Sequence, residues 1–239
     1  MTTRTDAIPE RRRSYLPAAG HDWFLPLYDP FVKLLGGDRA RRVLLDQAAV
    51  RPGHHVLDVG CGTGTFVVLV KRLHPNVEVI GLDPDPKALA RATRKAEGEA
   101  VSIRFDQGFA DRLPYSDASF DRVFSSFMFH HLQGQEKAKT LHEARRVLKP
   151  GGRLYLLDFG GPESGTDRSL TRRLHSSHLL RDNSEDGILE LMRHAAFEDP
   201  KTVSAGSMVF GLVAYSCYAG SVPMTVADPR AQEKARIAK

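Results

Sequence analysis

One glycine-rich segment, VLDVGCGTG at residues 56–64, constrains this chain more than any other feature. A short apolar strand, His55–Val59, leads into three glycines within five positions, and an apolar stretch from Phe66 to Leu73 follows at once. Glycine adopts positive φ angles and lacks a Cβ atom, so the backbone can turn tightly and approach a ligand closely. The next helix starts with unpaired N–H groups at the positive end of its dipole. The segment therefore predicts a strand–turn–helix unit that binds a ligand beyond the carboxyl end of the strand.

Strands and helices alternate along much of the remaining chain. Further strands are predicted at residues 77–82, 101–105, 121–126 and 153–158, and helices at residues 38–50, 136–148 and 185–195. Another helix should begin after Asp85, a good N-cap residue, with Pro86 at its first position. Two apolar segments, 201–205 and 208–217, predict an antiparallel hairpin at one sheet edge. The pattern is typical of an α/β fold with a mostly parallel sheet covered by helices on both faces.

The composition is that of a globular protein, with 239 residues, 41% of them hydrophobic and 26% charged, and a net charge of +5. No apolar run is long enough to cross a bilayer and the N-terminus lacks a secretory signal, so we expect a cytoplasmic protein with no membrane span. Cys61 and Cys217 are too few for a disulfide framework, and no metal site is expected. We divide the chain into an N-terminal helical cap (1–50), a ligand-binding domain (51–220) and a flexible tail (221–239).

Two acidic residues flank the glycine turn. Asp58 lies inside the first strand, where a carboxylate is costly unless it is hydrogen-bonded or paired with a cation. Asp83 ends the second strand, about 20 positions after the turn, where an acidic residue can accept both hydroxyl groups of a ribose. Each has a structural alternative: Asp58 can cap the N–H groups of the glycine turn, and Asp83 can cap the next helix. Together they favour a positively charged nucleoside ligand.

Five motifs in order resemble the class I S-adenosylmethionine (SAM)-dependent methyltransferases, nearest to the ubiquinone/menaquinone-biosynthesis type. They are VLDVGCGTG (56–64), GLDPD (81–85), QGFADRLPYSDASFD (107–121), VFSSFMFHHL (123–132) and RRVLKPGGRLYLLDF (145–159). The resemblance implies a Rossmann-like, doubly wound sheet of about seven strands whose last strand inserts antiparallel. It also implies methyl transfer from SAM to a small-molecule acceptor.

The resemblance assigns the cofactor site residue by residue. Gly60, Cys61, Gly62, Thr63 and Gly64 would wrap the methionine end and the sugar, with Asp58 behind the turn near the ammonium. Asp83 would hold the ribose hydroxyls, and Pro84, Gly108, Phe109 and Ala110 would border the adenine. Ser126 would contact SAM near the sulfur. Many relatives have an acidic or amide residue where this chain has Phe109, so adenine is held here either by packing and backbone contacts or by Gln107 or Asp111.

The acceptor site is expected beside the fourth and fifth strands. His130 and His131 follow the fourth strand and are candidates for a general base or for structural hydrogen bonds. Asp158 ends the fifth strand and either orients the acceptor or caps a loop. Phe127, Met128 and Tyr28 are candidate acceptor contacts, and the helix that carries Tyr28 is expected to cover the SAM site as a lid. These side chains favour a small, partly apolar acceptor.

Three other functions share parts of this pattern. A nicotinamide-dependent oxidoreductase would have glycine at Thr65 and an apolar residue at Asp58. A non-catalytic SAM-binding protein is compatible with the motifs, because methyl transfer depends little on any one residue. A nucleic-acid methyltransferase is disfavoured, because Ser125-Ser126-Phe127-Met128 stands where Asn-Pro-Pro-Tyr or Asp-Pro-Pro-Tyr is typical and no basic patch interleaved with aromatic residues is present.

Overall fold

Seven strands form one sheet in the computed structural model, which describes residues 36–160, 184–208 and 213–224. The order across the sheet is β3-β2-β1-β4-β5-β7-β6. In chain order the strands are β1 (His55–Val59), β2 (Glu78–Asp83), β3 (Arg104–Gln107), β4 (Phe120–Ser126), β5 (Leu148–Phe159), β6 (Glu198–Met208) and β7 (Val213–Ser221). The first five strands are parallel, whereas β7 runs antiparallel between β5 and β6. The predicted fold, including the antiparallel edge hairpin, is confirmed.

Five helices of the described residues cover both faces of the sheet. They are α1 (Gly37–Gln47), α2 (Thr65–Leu73), α3 (Pro86–Gly98), α4 (Gly134–Val147) and α5 (Glu185–His194). Buried side chains of α1, α2 and α3 form one apolar core with the sheet, and those of α4 and α5 form a second core on the opposite face. Each helix therefore buries one stripe of side chains against the sheet, as an amphipathic sequence requires. No described helix has the length and apolarity needed to span a bilayer.

Some predicted boundaries are wrong, each for a local reason. The third strand begins at Arg104 rather than Val101, because the Val101 N–H donates to the Ala96 carbonyl and closes α3. The fifth begins at Leu148, which pairs with Phe120, rather than at Arg153. Met208 ends β6 instead of starting β7, so the apolar run from 208 to 217 does not form a single strand.

Two predicted segments fall largely outside the described residues. The N-terminal helix with Tyr28 lies entirely there, as does most of the tail predicted from residue 221. Val222, however, is buried and exchanges backbone hydrogen bonds with Gly151 and Gly152, so the ordered sheet extends slightly beyond that predicted boundary.

The strand order places a crevice at the carboxyl ends of β1 and β4. From β1 the chain moves outward through β2 and β3, and then returns to place β4 on the other side of β1. The loops that follow these two strands leave on opposite sides of the sheet, which opens a cleft between them. The glycine turn after β1 and His131 after β4 both border this cleft.

Candidate functional site

The glycine turn after β1 brings bare backbone to the edge of the cleft. Gly60, Gly62 and Gly64 have φ angles of 76°, 53° and 78°, in the left-handed region that glycine tolerates. A Cβ atom on Gly64 would lie 2.7 Å from the Cβ of Ala92, and one on Gly60 would lie 2.3 Å from Cγ of Met128. These two positions therefore need glycine for space as well as for conformation.

A cavity of about 560 Å³ opens between the glycine turn and the ends of β2 and β4. Twelve of the residues predicted from sequence line it: Gly60, Cys61, Gly62, Thr63, Asp83, Pro84, Phe109, Ala110, Ser126, Phe127, Met128 and His131. Seven lining residues were not predicted: Arg41, Thr65, Phe66, Leu82, Leu132, Gln133 and Glu136. The predicted residues Asp58, Gly64, Gly108, His130 and Asp158 stand behind this lining, and Tyr28 is outside the described residues.

Asp83 is held firmly at the cavity wall. One of its carboxylate oxygens accepts the Gly62 N–H at 2.8 Å, and the other accepts the Asp85 N–H at 2.9 Å. Burial raises the pKa of this carboxyl, and the two N–H donors oppose that rise. Asp85 itself accepts the Lys87 N–H at 2.8 Å, so its predicted N-cap role is confirmed. Asp83 thus links the glycine turn to the helix entry and still presents its carboxylate to the cavity.

Asp58 is a buried carboxylate in the centre of the sheet. It lies on β1 between Gly81 and Phe124 and is 0% exposed. Neither carboxylate oxygen has a hydrogen-bond partner among the described residues, so Asp58 does not cap the glycine turn. Burial raises the pKa of this carboxyl to about 7, with Arg41 opposing the rise and Asp83 adding to it. Such a group is stabilised as an anion by a nearby cation or by hydrogen-bond donors.

The side of the cavity next to β3 is apolar. Phe109 and Ala110 line it, and Gly108 supports them from behind by donating its N–H to the Asp83 carbonyl at 3.2 Å. Neither proposed hydrogen-bond acceptor, Gln107 or Asp111, lines the cavity. The Gln107 amide instead donates to the Pro84 carbonyl at 3.1 Å, which ties the end of β3 to the loop after β2. The cavity wall here offers apolar side chains and backbone groups for contact with a purine ring.

A histidine–aspartate pair joins the carboxyl ends of β4 and β5. Asp158 is 0% exposed, and one of its oxygens lies 2.6 Å from Nδ1 of His130. The other oxygen accepts the His130 backbone N–H at 2.6 Å, while the Phe159 N–H donates to the first at 2.8 Å. Asp158 therefore both caps the loop and orients the His130 ring. Two backbone N–H groups already donate to this carboxylate, which can only accept hydrogen bonds when ionised. It therefore favours the tautomer of His130 that carries its proton on Nδ1.

His131 stacks on His130 and faces the cavity. The ring centroids are 4.0 Å apart, and His131 lines the cavity wall. Burial, with a smaller effect from His130, lowers the pKa of His131 to about 4. This imidazole is therefore neutral at ordinary pH and can form hydrogen bonds without carrying charge.

Aromatic side chains enclose the same end of the cavity. The rings of Phe127 and Phe159 lie 4.8 Å apart, and the Phe159 ring meets the edge of His130 at 4.9 Å. Phe127 adopts a positive φ of 54°, a conformation that costs a non-glycine residue about 1–3 kcal/mol. Its N–H donates to the Leu157 carbonyl at 2.7 Å, which holds that conformation. Strain of this kind places the Phe127 ring in the cavity wall.

The sequence analysis did not predict that Arg41 lines the cavity, although its position among apolar residues indicates that it is buried. Gly37, Ala40, Leu44 and Leu45 are the other buried residues of α1, spaced as one face of a helix. An arginine on this otherwise apolar face points into the protein rather than to solvent. Glu136, by contrast, gave no such sign: its carboxylate closes a capping box with Gln133 at the start of α4, and only the tertiary fold brings it to the cavity.

Comparison with known proteins shows similarity to methyltransferases. Residues 56–152 match a methyltransferase domain family. The chain is 42% identical over 158 residues to the demethylmenaquinone methyltransferase of Deinococcus radiodurans, covering 65% of this chain and 64% of the relative. It is 38% identical over 125 residues to the ubiquinone/menaquinone biosynthesis C-methyltransferase UbiE of Pasteurella multocida, covering 51% and 46%.

Solved structures share the fold. Phosphoethanolamine N-methyltransferase 2 of Haemonchus contortus, in complex with SAM, has a TM-score of 0.69 at 17% identity, covering 86% of this chain and 58% of that one. The chain spans less than two thirds of the length of the curated relatives it matches.

Proposed function

Residues 56–152 belong to the methyltransferase domain family, of the class I SAM-dependent type, and on that premise we propose that this protein methylates a quinol-type small molecule. The proposal depends on two carboxylates beside the glycine turn. Asp83 lines the cavity and accepts the Gly62 N–H, and Asp58 is buried behind the turn without a hydrogen-bond partner among the described residues. SAM, when bound, supplies an activated methyl group whose C–S bond breaks with the electron pair leaving on sulfur. The residues of this chain have only to bind, orient and shield the reactants.

The charges of the site suit a cationic nucleoside. Asp83 keeps acceptor capacity for ribose hydroxyls, since each carboxylate oxygen accepts a single backbone N–H in this structure. Asp58 lies near the place where the glycine turn would hold the amino-acid end, and an ammonium there stabilises its ionised form. Acidic groups on two sides would repel a diphosphate. The site therefore favours SAM over a nicotinamide dinucleotide.

The buried Asp58 predicts a pH-dependent affinity. We expect S-adenosylhomocysteine, which carries the same ammonium, to bind more tightly as the pH rises from about 5.5 to 7. Below a pKa of about 7 the Asp58 carboxyl holds a proton that ligand binding must release. The Kd therefore rises by up to about tenfold for each unit by which the pH falls. Calorimetry between about pH 5.5 and 7, where the ligand's α-ammonium stays protonated, measures this slope.

Two controls isolate Asp58 as the source of the slope. 5′-Methylthioadenosine lacks the ammonium, so its Kd should stay flat over the same range. The Asp58→Asn variant, which cannot ionise, should give a flat profile with S-adenosylhomocysteine as well. A slope that survives in Asp58→Asn would assign the titration to another group.

We propose that the acceptor is a reduced aromatic ring carrying hydroxyl groups. The relatives include demethylmenaquinone methyltransferases, and the Phe127 ring, with Phe159 packed against it, lines this end of the site. Neutral His131 in the cavity wall can hydrogen-bond a hydroxyl without the desolvation cost of a charge. An aromatic ring beside a neutral hydrogen-bonding group suits a quinol better than a strongly charged acceptor.

His130 is the proposed general base for this acceptor. With Nδ1–H bound to Asp158, its Nε2 carries the lone pair that takes the hydroxyl proton. The resulting phenolate makes the adjacent ring carbon nucleophilic, a C–C bond forms to the methyl group, and that ring carbon then loses its proton to solvent as aromaticity returns. Asp158 acts as a positioning residue and stabilises the protonated imidazole that forms.

We further propose that residues 1–50 cap this site. Of that segment, α1 is described, and it already contributes Arg41 to the cavity wall.

Methyl transfer to a quinol is directly testable. The full chain with methyl-labelled SAM and a short-chain demethylmenaquinol, kept reduced with dithionite, should give a product in which one labelled methyl group replaces a ring hydrogen, as read by mass spectrometry. The oxidised quinone should stay unlabelled, because its ring carbon is electrophilic. SAM binding without labelling of the quinol would overturn the acceptor assignment and leave SAM binding intact.

A further inference from the structure

The loop after β3 forms one wall of the cavity. Phe109 and Ala110 line that wall, and the Arg112 N–H donates to the Phe109 carbonyl at 3.2 Å, which closes the start of the loop into a tight bridge. Residues 113–119 then run along α4 until β4 begins at Phe120. The position of this wall therefore depends on the contacts that hold the loop against α4.

Two side chains of α4 hold the loop by its backbone. Glu143 accepts the Leu113 N–H at 2.7 Å, and Arg146 donates to the Leu113 carbonyl at 3.0 Å. Arg146 also donates to the Tyr115 carbonyl at 2.7 Å and to the Asp117 carboxylate at 2.8 Å. Leu113 is thus held at both its N–H and its carbonyl, while its side chain is buried in the core that α4 shares with the sheet.

Glu143 and Arg146 also hold each other. Their side chains form two hydrogen bonds of 2.7 Å, one from Nε of the arginine and one from a terminal nitrogen, to the two carboxylate oxygens. This paired geometry is among the strongest that arginine offers to a carboxylate. Hydrogen bonding to Arg146 lowers the pKa of the Glu143 carboxyl, against the effect of burial, so the pair stays ionised near neutral pH. The two side chains are 32% and 21% exposed, so solvent screens them less than a fully exposed ion pair.

We propose that Glu143 and Arg146 are positioning residues for the base of the cofactor, because they fix the wall of Phe109 and Ala110 against the adenine of SAM. The inference rests on the proposed SAM site, with adenine on this wall. Both residues stand outside the cavity lining, so they act through the loop rather than by contact with a ligand. Without this anchor, part of the binding free energy would be lost in ordering the loop.

The test compares two ligands, one with adenine and one without. S-Ribosylhomocysteine carries a hydroxyl group where S-adenosylhomocysteine carries adenine, and titrations up to millimolar concentration measure both on the full chain. The variants are Arg146→Met, which keeps the aliphatic stem, and Arg146→Lys, which keeps the charge but lacks the planar fork. Arg145→Met is a matched control, because this neighbouring arginine also donates to a backbone carbonyl, that of Ala196 at 3.0 Å, in a different loop. Thermal unfolding checks that each variant is folded.

Both Arg146 variants should weaken S-adenosylhomocysteine binding by about 10-fold or more and leave S-ribosylhomocysteine within about twofold, because only the first ligand meets the wall. Arg145→Met should change neither affinity. Amide hydrogen exchange at residues 109–113 of the ligand-free protein gives a second measurement, and it should become faster in the Arg146 variants but not in the control.

Equal weakening of both ligands, an unchanged affinity for S-adenosylhomocysteine, or unchanged exchange in the loop would overturn the positioning role while leaving the SAM site in place. Absence of S-adenosylhomocysteine binding by the unmodified chain would instead reject the proposed function, and this inference with it.

Discussion

Replacing Asp83 with alanine should weaken binding of SAM and S-adenosylhomocysteine by about 100-fold or more. The carboxylate offers acceptor positions for two ribose hydroxyls, and each charge-assisted hydrogen bond contributes about 1.5–3 kcal/mol. The same side chain also anchors the Gly62 and Asp85 N–H groups, so its loss loosens the glycine turn as well. Titration calorimetry of the two ligands on wild type and Asp83→Ala measures the effect.

Two controls, a surface carboxylate variant and a modified ligand, distinguish the loss of ribose contacts from the loosening of the glycine turn. Asp46→Ala removes a carboxylate that is 56% exposed on α1, and it should leave both affinities unchanged. A 2′,3′-dideoxyribose analogue of S-adenosylhomocysteine should bind wild type weakly and lose little more in Asp83→Ala. An analogue that loses as much affinity as the parent ligand would mean that Asp83 acts through the turn alone.

The second large effect is expected at His130. His130→Ala should lower kcat for methyl transfer by about 100-fold or more while leaving the Kd of S-adenosylhomocysteine unchanged, because general-base catalysis contributes on that scale. Asp158→Asn should lower kcat as well, since it disturbs the tautomer and orientation of His130. The double variant should be little worse than His130→Ala, because residues that act as a unit are not additive. Single-turnover assays with saturating SAM measure the chemical step directly.

His142 on α4 offers a control, because it is exposed, whereas His130 is partly buried and paired with Asp158. His142→Ala should retain full activity. If His130→Ala kept wild-type kcat at every pH, His130 would be a structural residue. A general base would then have to be sought at His131 or in solvent.

Local sequence was sufficient to predict most of the fold. The strand at His55–Val59, the glycine turn and the Asp85 N-cap are each marked by residue types a few positions apart in the sequence, and the structure has them where they were expected. The antiparallel edge hairpin also followed from the spacing of two apolar segments. The boundary errors occurred where a strand adjoins a helix end or another apolar run, as at Val101 and Met208.

Much of the site depends on contacts distant in sequence, which the pattern cannot show. His130 and Asp158 were each candidates, but their pairing joins residues 28 positions apart on different strands. Asp58 could have capped the turn, and only the fold shows that its oxygens lack such partners in the described residues. Arg41 lines a cavity whose other walls come from β1, β2 and β4, so its role was visible only as an odd charge on an apolar helix face.

The geometry also separates the methyltransferase from the oxidoreductase that shares its strand–turn–helix. Thr65 is the first residue of α2, where the dinucleotide-binding turn has a glycine for close packing. Asp58 is buried behind the turn, where a negative charge would oppose a diphosphate. Both features suit a ligand whose reactive end is positively charged.

Titration of the wild-type chain with SAM and with NAD, at equal concentration and near neutral pH, decides between these ligands. The carboxylate-flanked glycine turn predicts saturable one-to-one binding of SAM and no measurable heat with NAD. Tighter binding of NAD than of SAM would contradict the assignment of this cavity to a cationic nucleoside.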